Sequence, residues 1–265
     1  APAPAPASAG QVALGGPTPL EEGGPASVPL YWASAAYFDA AHLESDGVWD
    51  DGSQASRSRT LYDDGAVAVG AWTCTAGSFP VVGRGTTEWF HVIEGEGIIT
   101  DADGTPHVFR AGDTVVLPKG WSGRWDVMKA VRKIWVTSDH AEELGADVAG
   151  RAVVGPVNEL ASWESYTPLG KRKADWGEPE HFSQKQWAAG PTSTGSWACT
   201  EGGFLGSPNR PTTEVFYVLE GLCFLTGLDG IARRVAAGDT VILPKGWSGR
   251  WDVVKPIRKV WAVVK

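Results

Sequence analysis

The sequence predicts an all-β protein made of two copies of one barrel or sandwich domain. Three observations carry this expectation: a long internal repeat, short runs of strand character separated by turn residues, and the lack of long amphipathic helical patterns between them.

The repeat organises the chain. The segment TTEWFHVIEGEGIIT from Thr86 returns as TTEVFYVLEGLCFLT from Thr212, and AGDTVVLPKGWSGRWDVMK from Ala111 returns as AGDTVILPKGWSGRWDVVK from Ala237. Both pairs share one offset, and roughly 30 of about 51 paired positions are identical, as a duplicated domain requires. A weaker match continues upstream through Gly70-Ala-Trp72 and Gly195-Ser-Trp197. The expected division is an extended Ala/Pro/Gly-rich arm over 1–35, a first domain over 36–140, a linker over 141–154 and a second domain over 155–265. The residues from Asp139 to Gly150 read as a short helix, and the arm is expected to drape over a barrel of its own chain or of a neighbour.

Within each copy the strands follow from local chemistry. The run from Thr86 reads as a strand ending at the glycine turn of Gly95. Asp103-Gly104 and Asp229-Gly230 mark hairpins, and Thr114 to Leu117 is a strand stopped by Pro118. Alternation puts Glu88, Phe90 and Val92 on one face and Trp89, His91 and Ile93 on the other, with Val215, Tyr217 and Leu219 matching the latter. A strand apolar on both faces is covered on both sides, so one face lines a barrel interior and the other packs on the second repeat or on another subunit.

Composition narrows the partners. The formal net charge is -8, with no basic patch to hold nucleic acid, and no apolar run is long enough to span a bilayer. The three cysteines show no metal-type spacing and cannot all pair, so buried structural thiols in a cytoplasmic protein are expected. No charged-then-apolar signal segment is present. A first residue of Ala implies a removed initiator Met or a processed leader. Small-molecule ligands, and a homodimer, are the expected partners.

At its repeated motifs the chain resembles the cupin superfamily. The E-x6-G ending of the first cupin motif is matched by Glu88 with Gly95 and by Glu214 with Gly221. The G-x5-P-x-G start of the second is matched by Gly112, Pro118 and Gly120, and by Gly238, Pro244 and Gly246. The wording AGDTVxLPKGWSGRWDV, with Arg132-Lys133 or Arg258-Lys259 after it, is similar to the cupin_3 or DUF861 type. The resemblance implies two tandem double-stranded β-helix (jelly-roll) barrels. Cupins host many chemistries, so it leaves function open.

In metal-binding cupins an H-x-H pair precedes the glutamate and another His follows the P-x-G. Those positions fall near Val82 and Arg84, and at Gly123, in the first repeat, and near Pro208 and Arg210, and at Gly249, in the second. Only Glu88 and Glu214 remain, so no metal and no other cofactor is expected. His91 points away from the interior, His107 lies near an exposed hairpin, and His42 and His181 are candidates to close over a pocket.

The candidate catalytic residues are Glu88 and Glu214. Burial in an apolar barrel should raise their pKa towards general acid or base use. The competing reading is a structural ion pair with Arg84 or Arg210, or with Arg132 or Lys133 and their counterparts. Candidate ligand walls are Arg84, Trp72, Phe90, Trp121 and Trp125 in the first barrel, and Arg210, Trp197, Phe216, Trp247 and Trp251 in the second. The indoles flanking Gly123 and Gly249 pack the core or wall a flat cavity. Gly83-Arg84-Gly85 reads as flexible, Ser207 to Pro211 as rigid, and the more polar first barrel as the working one. Three functions remain open: a metal-independent isomerase, lyase or cyclase; a non-catalytic bicupin binding a carbohydrate or aromatic acid; and a metal-dependent dioxygenase or decarboxylase with displaced ligands.

Overall fold

A computed structural model describes residues 28–34, 43–49, 53–139, 150–155 and 165–265. The first-repeat strands are β1 (Tyr31–Ala33), β2 (Glu44–Val48), β3 (Gln54–Asp63), β4 (Val67–Cys74), β5 (Gly77–Val81), β6 (Thr87–Asp101), β7 (Pro106–Arg110), β8 (Thr114–Leu117) and β9 (Gly123–Ser138). The second set is β10 (Val153–Gly155), β11 (Thr167–Lys171), β12 (Trp176–Gly177), β13 (Glu180–Ala189), β14 (Thr192–Cys199), β15 (Gly202–Leu205), β16 (Thr213–Gly227), β17 (Ala232–Ala236), β18 (Thr240–Leu243) and β19 (Gly249–Val264). All pairings are antiparallel, and no α-helix occurs among the described residues. The linker helix expected over 139–150, the arm before residue 28, His42 and His140 lie outside them.

In the first barrel the sheet path runs β10-β8-β6-β9-β4-β3-β2; in the second it runs β1-β18-β16-β19-β14-β13-β11. The long strands β6 and β9, and β16 and β19, pair along most of their length. Phe90, Val92, Ile99, Phe109, Val115 and Trp125 fill the first interior, and their counterparts, with Phe216 and Trp251, fill the second.

The opposite strand face is covered within the chain. Trp89, Val116 and Val136 of the first repeat pack with Val215, Ile242 and Val260 of the second. Each large side chain so buried contributes roughly 1.5–3 kcal/mol. His91 and Tyr217, which occupy matching places in the two repeats, meet there with ring centroids 4.8 Å apart. The barrels are therefore joined by an apolar interface that strand alternation alone accounts for.

Two sequence expectations change. The strand from Thr87 does not end at Gly95 but continues to Asp101, with register shifts between Val92 and Gly97. Gly95 has φ +90°, and a Cβ there would lie 2.2 Å from the Ala130 carbonyl oxygen, so the glycine forms a bulge rather than an end. The domain limits also shift. Tyr31–Ala33, placed in the arm, pairs with β18 of the second barrel, and Val153–Gly155, placed across the end of the linker and the start of the second domain, pairs with β8 of the first. Each short edge strand has unpaired backbone groups, and the segment preceding the opposite barrel satisfies them.

A lysine-centred site in each barrel

The site is built on the strand pair that runs through each barrel. Glu88 on β6 stands opposite Thr137 of β9, and Lys133 projects from β9 into the same space. Lys133 Nζ lies 2.8 Å from Glu88 Oε1, and Arg84 Nη2 lies 3.1 Å from Oε2. The second barrel repeats this: Lys259 is 2.6 Å from Glu214 Oε1 and Arg210 is 2.8 Å from Oε2. Both oxygens of each glutamate are thus held by cations.

The electrostatics follow. Burial alone pushes the Glu88 and Glu214 carboxyls up, but the paired Arg and Lys charges outweigh it and hold both below the usual carboxylate range. This corrects the expected upward shift and realises the ion-pair reading. The lysines respond oppositely: burial draws both ammonium groups down, against the pull of their glutamates.

Each ammonium sits in a three-ring cage. Lys133 Nζ lies 4.7 Å from the Trp72 ring centroid, 4.1 Å from Phe90 and 4.7 Å from Trp125. For Lys259 the distances are 4.9 Å to Trp197, 3.9 Å to Phe216 and 4.5 Å to Trp251. Cation–π attraction of about 2 kcal/mol or more per desolvated contact helps keep the charge inside.

Above each cage a cavity opens. The first, of about 360 Å³, has Trp72, Arg84, Glu88, Trp125, Lys133 and Asp46 in its lining. The second, of about 230 Å³, has Trp197, Arg210, Glu214, Trp251, Lys259 and Arg172. Of the sequence candidates, Phe90 and Phe216 lie under the lysines as a floor and do not line the cavities. Trp121 and Trp247 are wholly buried in the cores. They precede β9 and β19 instead of sharing their alternation, and each indole covers the following glycine. A Cβ at Gly123 would lie 2.4 Å from Trp121, and one at Gly249 would lie 2.3 Å from Trp247. The space vacated by an imidazole is filled by indole.

Sequence reasoning named Lys133 and its counterpart Lys259 as alternative ion-pair partners of the glutamates, which the structure realises, but not as cavity residues, although both follow the repeated arginines Arg132 and Arg258 and alternate with Trp135 and Thr137, or with Trp261 and Val263. It also missed Phe79 and Phe204, which stack on Trp125 and Trp251 at 5.9 Å and 6.5 Å. The contrast drawn between a flexible and a rigid arginine loop does not hold. Arg84 is fixed by backbone bonds with Trp121 and Gly120, and Arg210 identically with Trp247 and Gly246.

The other titratable groups are accounted for elsewhere. His91 is buried between the barrels, and burial lowers its pKa to about 4. His107 is partly buried and bonds Asp101 at 2.7 Å, which revises its exposed placement. His181 Nδ1 accepts from Trp197 and Arg172, behind the second cavity, and does not line it. The cysteines are free and buried, and burial pushes their thiols up to about 11 for Cys74 and Cys199 and about 12 for Cys223. Among the described residues no three His, Cys, Asp or Glu side chains gather as metal ligands. The residues present do not suit the divalent cation of metal-dependent cupins. The glutamate oxygens already carry an ammonium and a guanidinium, and an incoming metal would meet both charges.

The comparisons agree with this architecture. A protein of unknown function of the DUF861 family from Pseudomonas syringae is 19% identical, with a TM-score of 0.67 over 89% of this chain and 99% of that one. A putative glyoxylate induced protein from Pseudomonas aeruginosa is 14% identical, with a TM-score of 0.64 over 94% and 92%. Streptomyces albus HEPD, holding 2-hydroxyethylphosphonate and Fe(II), is 8% identical with a TM-score of 0.60 over 89% and 76%. At such identities the likeness is one of fold alone. No curated protein matches the chain. No helix among the described residues is long and apolar enough to cross a membrane. The EutQ-like cupin domain model matches residues 61–135 and again 187–261, over half of the chain, and the protein belongs to that family.

Proposed function

We propose that this protein is a metal-independent bicupin that captures small organic anions, with the second barrel as its main anion site. The observation that carries the reading is the balance of charge in that cavity: Arg172, Arg210 and Lys259 face one carboxylate, Glu214. A carboxylate ligand completes this set, and Trp197, Phe204 and Trp251 offer flat apolar walls to its body. The cavity lies below the ordinary range of about 300–1,000 Å³ for ligand pockets, which suits a small metabolite and not an oligosaccharide. On this reading Glu88 and Glu214 hold the lysines in place.

Isothermal titration with 3-phenylpropionate and benzoate tests it. Saturable binding is expected, lost in Arg172→Gln and Lys259→Met; a wild-type protein that takes up neither probe overturns the reading. A second reading, a metal-independent isomerase, lyase or cyclase, is favoured by the short Lys259–Glu214 contact, across which a proton can pass while burial disfavours the ammonium. Proton NMR of a bound ligand separates the two: an unchanged spectrum supports capture, and solvent exchange of carbon-bound hydrogen that disappears in Lys259→Met supports turnover.

A further inference from the structure

The two cavities share the lysine, the glutamate and the arginine but differ at the mouth. In the first barrel β2 brings Asp46 to the lining, where Ser56 Oγ donates to its Oδ1 at 2.5 Å. Ser56 pairs with Cys74 across β3 and β4. In the second barrel the chain leaving β11 brings Arg172 to the lining, where it bonds His181, which pairs with Cys199 across β13 and β14. Asp46 and Arg172 are not matched in strand register, but each bonds the residue paired with Cys74 or Cys199 of its barrel, and they bring opposite charges to the two cavities.

The consequence is chemical. In the first cavity two cations, Arg84 and Lys133, face two carboxylates, Glu88 and Asp46. Glu88 is saturated by its two cations, whereas no cation of this chain pairs with Asp46 among the described residues. A plain carboxylate entering here gains Arg84 but is repelled by Asp46. A ligand with its own ammonium satisfies both ends, and Trp72, Phe79 and Trp125 flank the space between.

We propose that the first barrel is a zwitterion site taking an α-amino acid, with Asp46 receiving the ammonium and Arg84 the carboxylate, while the second barrel takes the anion without an ammonium. The anion half rests on the reading above; the amino-acid half stands on Asp46. Asp46 is exposed and lies outside the cores, so Asp46→Asn is expected to fold normally, which its thermal midpoint checks.

The experiment is calorimetric titration of wild type, Asp46→Asn and Arg172→Gln with L-phenylalanine and with 3-phenylpropionate, the same skeleton lacking the ammonium. Asp46→Asn should weaken L-phenylalanine about tenfold or more and leave 3-phenylpropionate at the second barrel unchanged, and Arg172→Gln should do the reverse. Binding of 3-phenylpropionate without L-phenylalanine, or L-phenylalanine binding that Asp46→Asn does not weaken, overturns the zwitterion site and leaves the anion reading intact. Binding of L-phenylalanine alone, sensitive to Asp46, supports this site and removes the anion reading. Uptake of neither removes both.

Discussion

The two barrels have the same lysine cage and differ in what surrounds it. In the first, Asp46 balances the cavity and Asp101 accepts from Trp121 Nε1 at 2.7 Å. In the second, Arg172 adds a third cation, and Gly227 stands where Asp101 does, so the buried Trp247 Nε1 has no partner among the described residues. At the interface between them His91 faces Tyr217. Duplication kept the electrostatic core of the site and let its rim change sign. The rim, not the cage, is thus where the two barrels differ in charge, and the proposed division between a zwitterion site and an anion site rests on that difference.

The largest contrast concerns the buried pairs. Lys133→Met leaves Glu88 buried with Arg84 alone, and loss of one partner from a buried pair costs about 3–5 kcal/mol. Lys259→Met should cost less, because Arg172 as well as Arg210 acts on Glu214. Urea unfolding of the two variants reads the difference, and equal losses would show that Arg172 does not compensate.

The interface offers the next test. The folded pKa of His91, about 4, lies below its ordinary 6.5, so the unfolded chain binds the extra proton between these values. Stability from this group is complete above about pH 6.5 and is lost as pH falls towards 4, by on the order of 3 kcal/mol. His91→Gln should flatten the dependence of the urea midpoint between pH 6.5 and 4.5, whereas Tyr217→Phe should leave it. An unaltered slope in His91→Gln would place the acid limb elsewhere.

The smallest effect lies in the cores. Trp121→Phe breaks the bond to Asp101 and leaves that buried oxygen with the Ala152 N–H as its remaining donor; Trp247→Phe removes an N–H that is unpaired among the described residues. Equal volume is lost, so Trp121→Phe should be the more destabilising by about 1–2 kcal/mol in paired thermal unfolding. A reversed order would mean that Trp247 Nε1 finds an acceptor in solution.

Much of the architecture was legible because its causes are local. Alternation along Thr87 to Val92 assigned Phe90 to the interior and Trp89 to the interface, since strand side chains alternate with period two. That rule failed at Trp121, which is not on the strand, and at Gly95, where the bulge carries the strand onward. Glu88 with Arg84 was legible at a spacing of four. Lys133 reaches Glu88 across 45 positions, and only the β6–β9 pairing makes them neighbours. Asp46, on β2, and Arg172, just after β11, precede the matched repeats, where no repeated motif flags them.

The sequence by itself determined the duplication, the strands and the face of each that is apolar, because turn chemistry and hydrophobic alternation act over a few residues. Tertiary structure alone decided that Lys133 and Lys259, and not the neighbouring Arg132 and Arg258, join the arginine on each glutamate, that the barrels cover each other, and that an aspartate guards one mouth and an arginine the other. Those outcomes depend on strand register and on Coulomb interactions at about 3 Å, which bring together charges far apart in the chain.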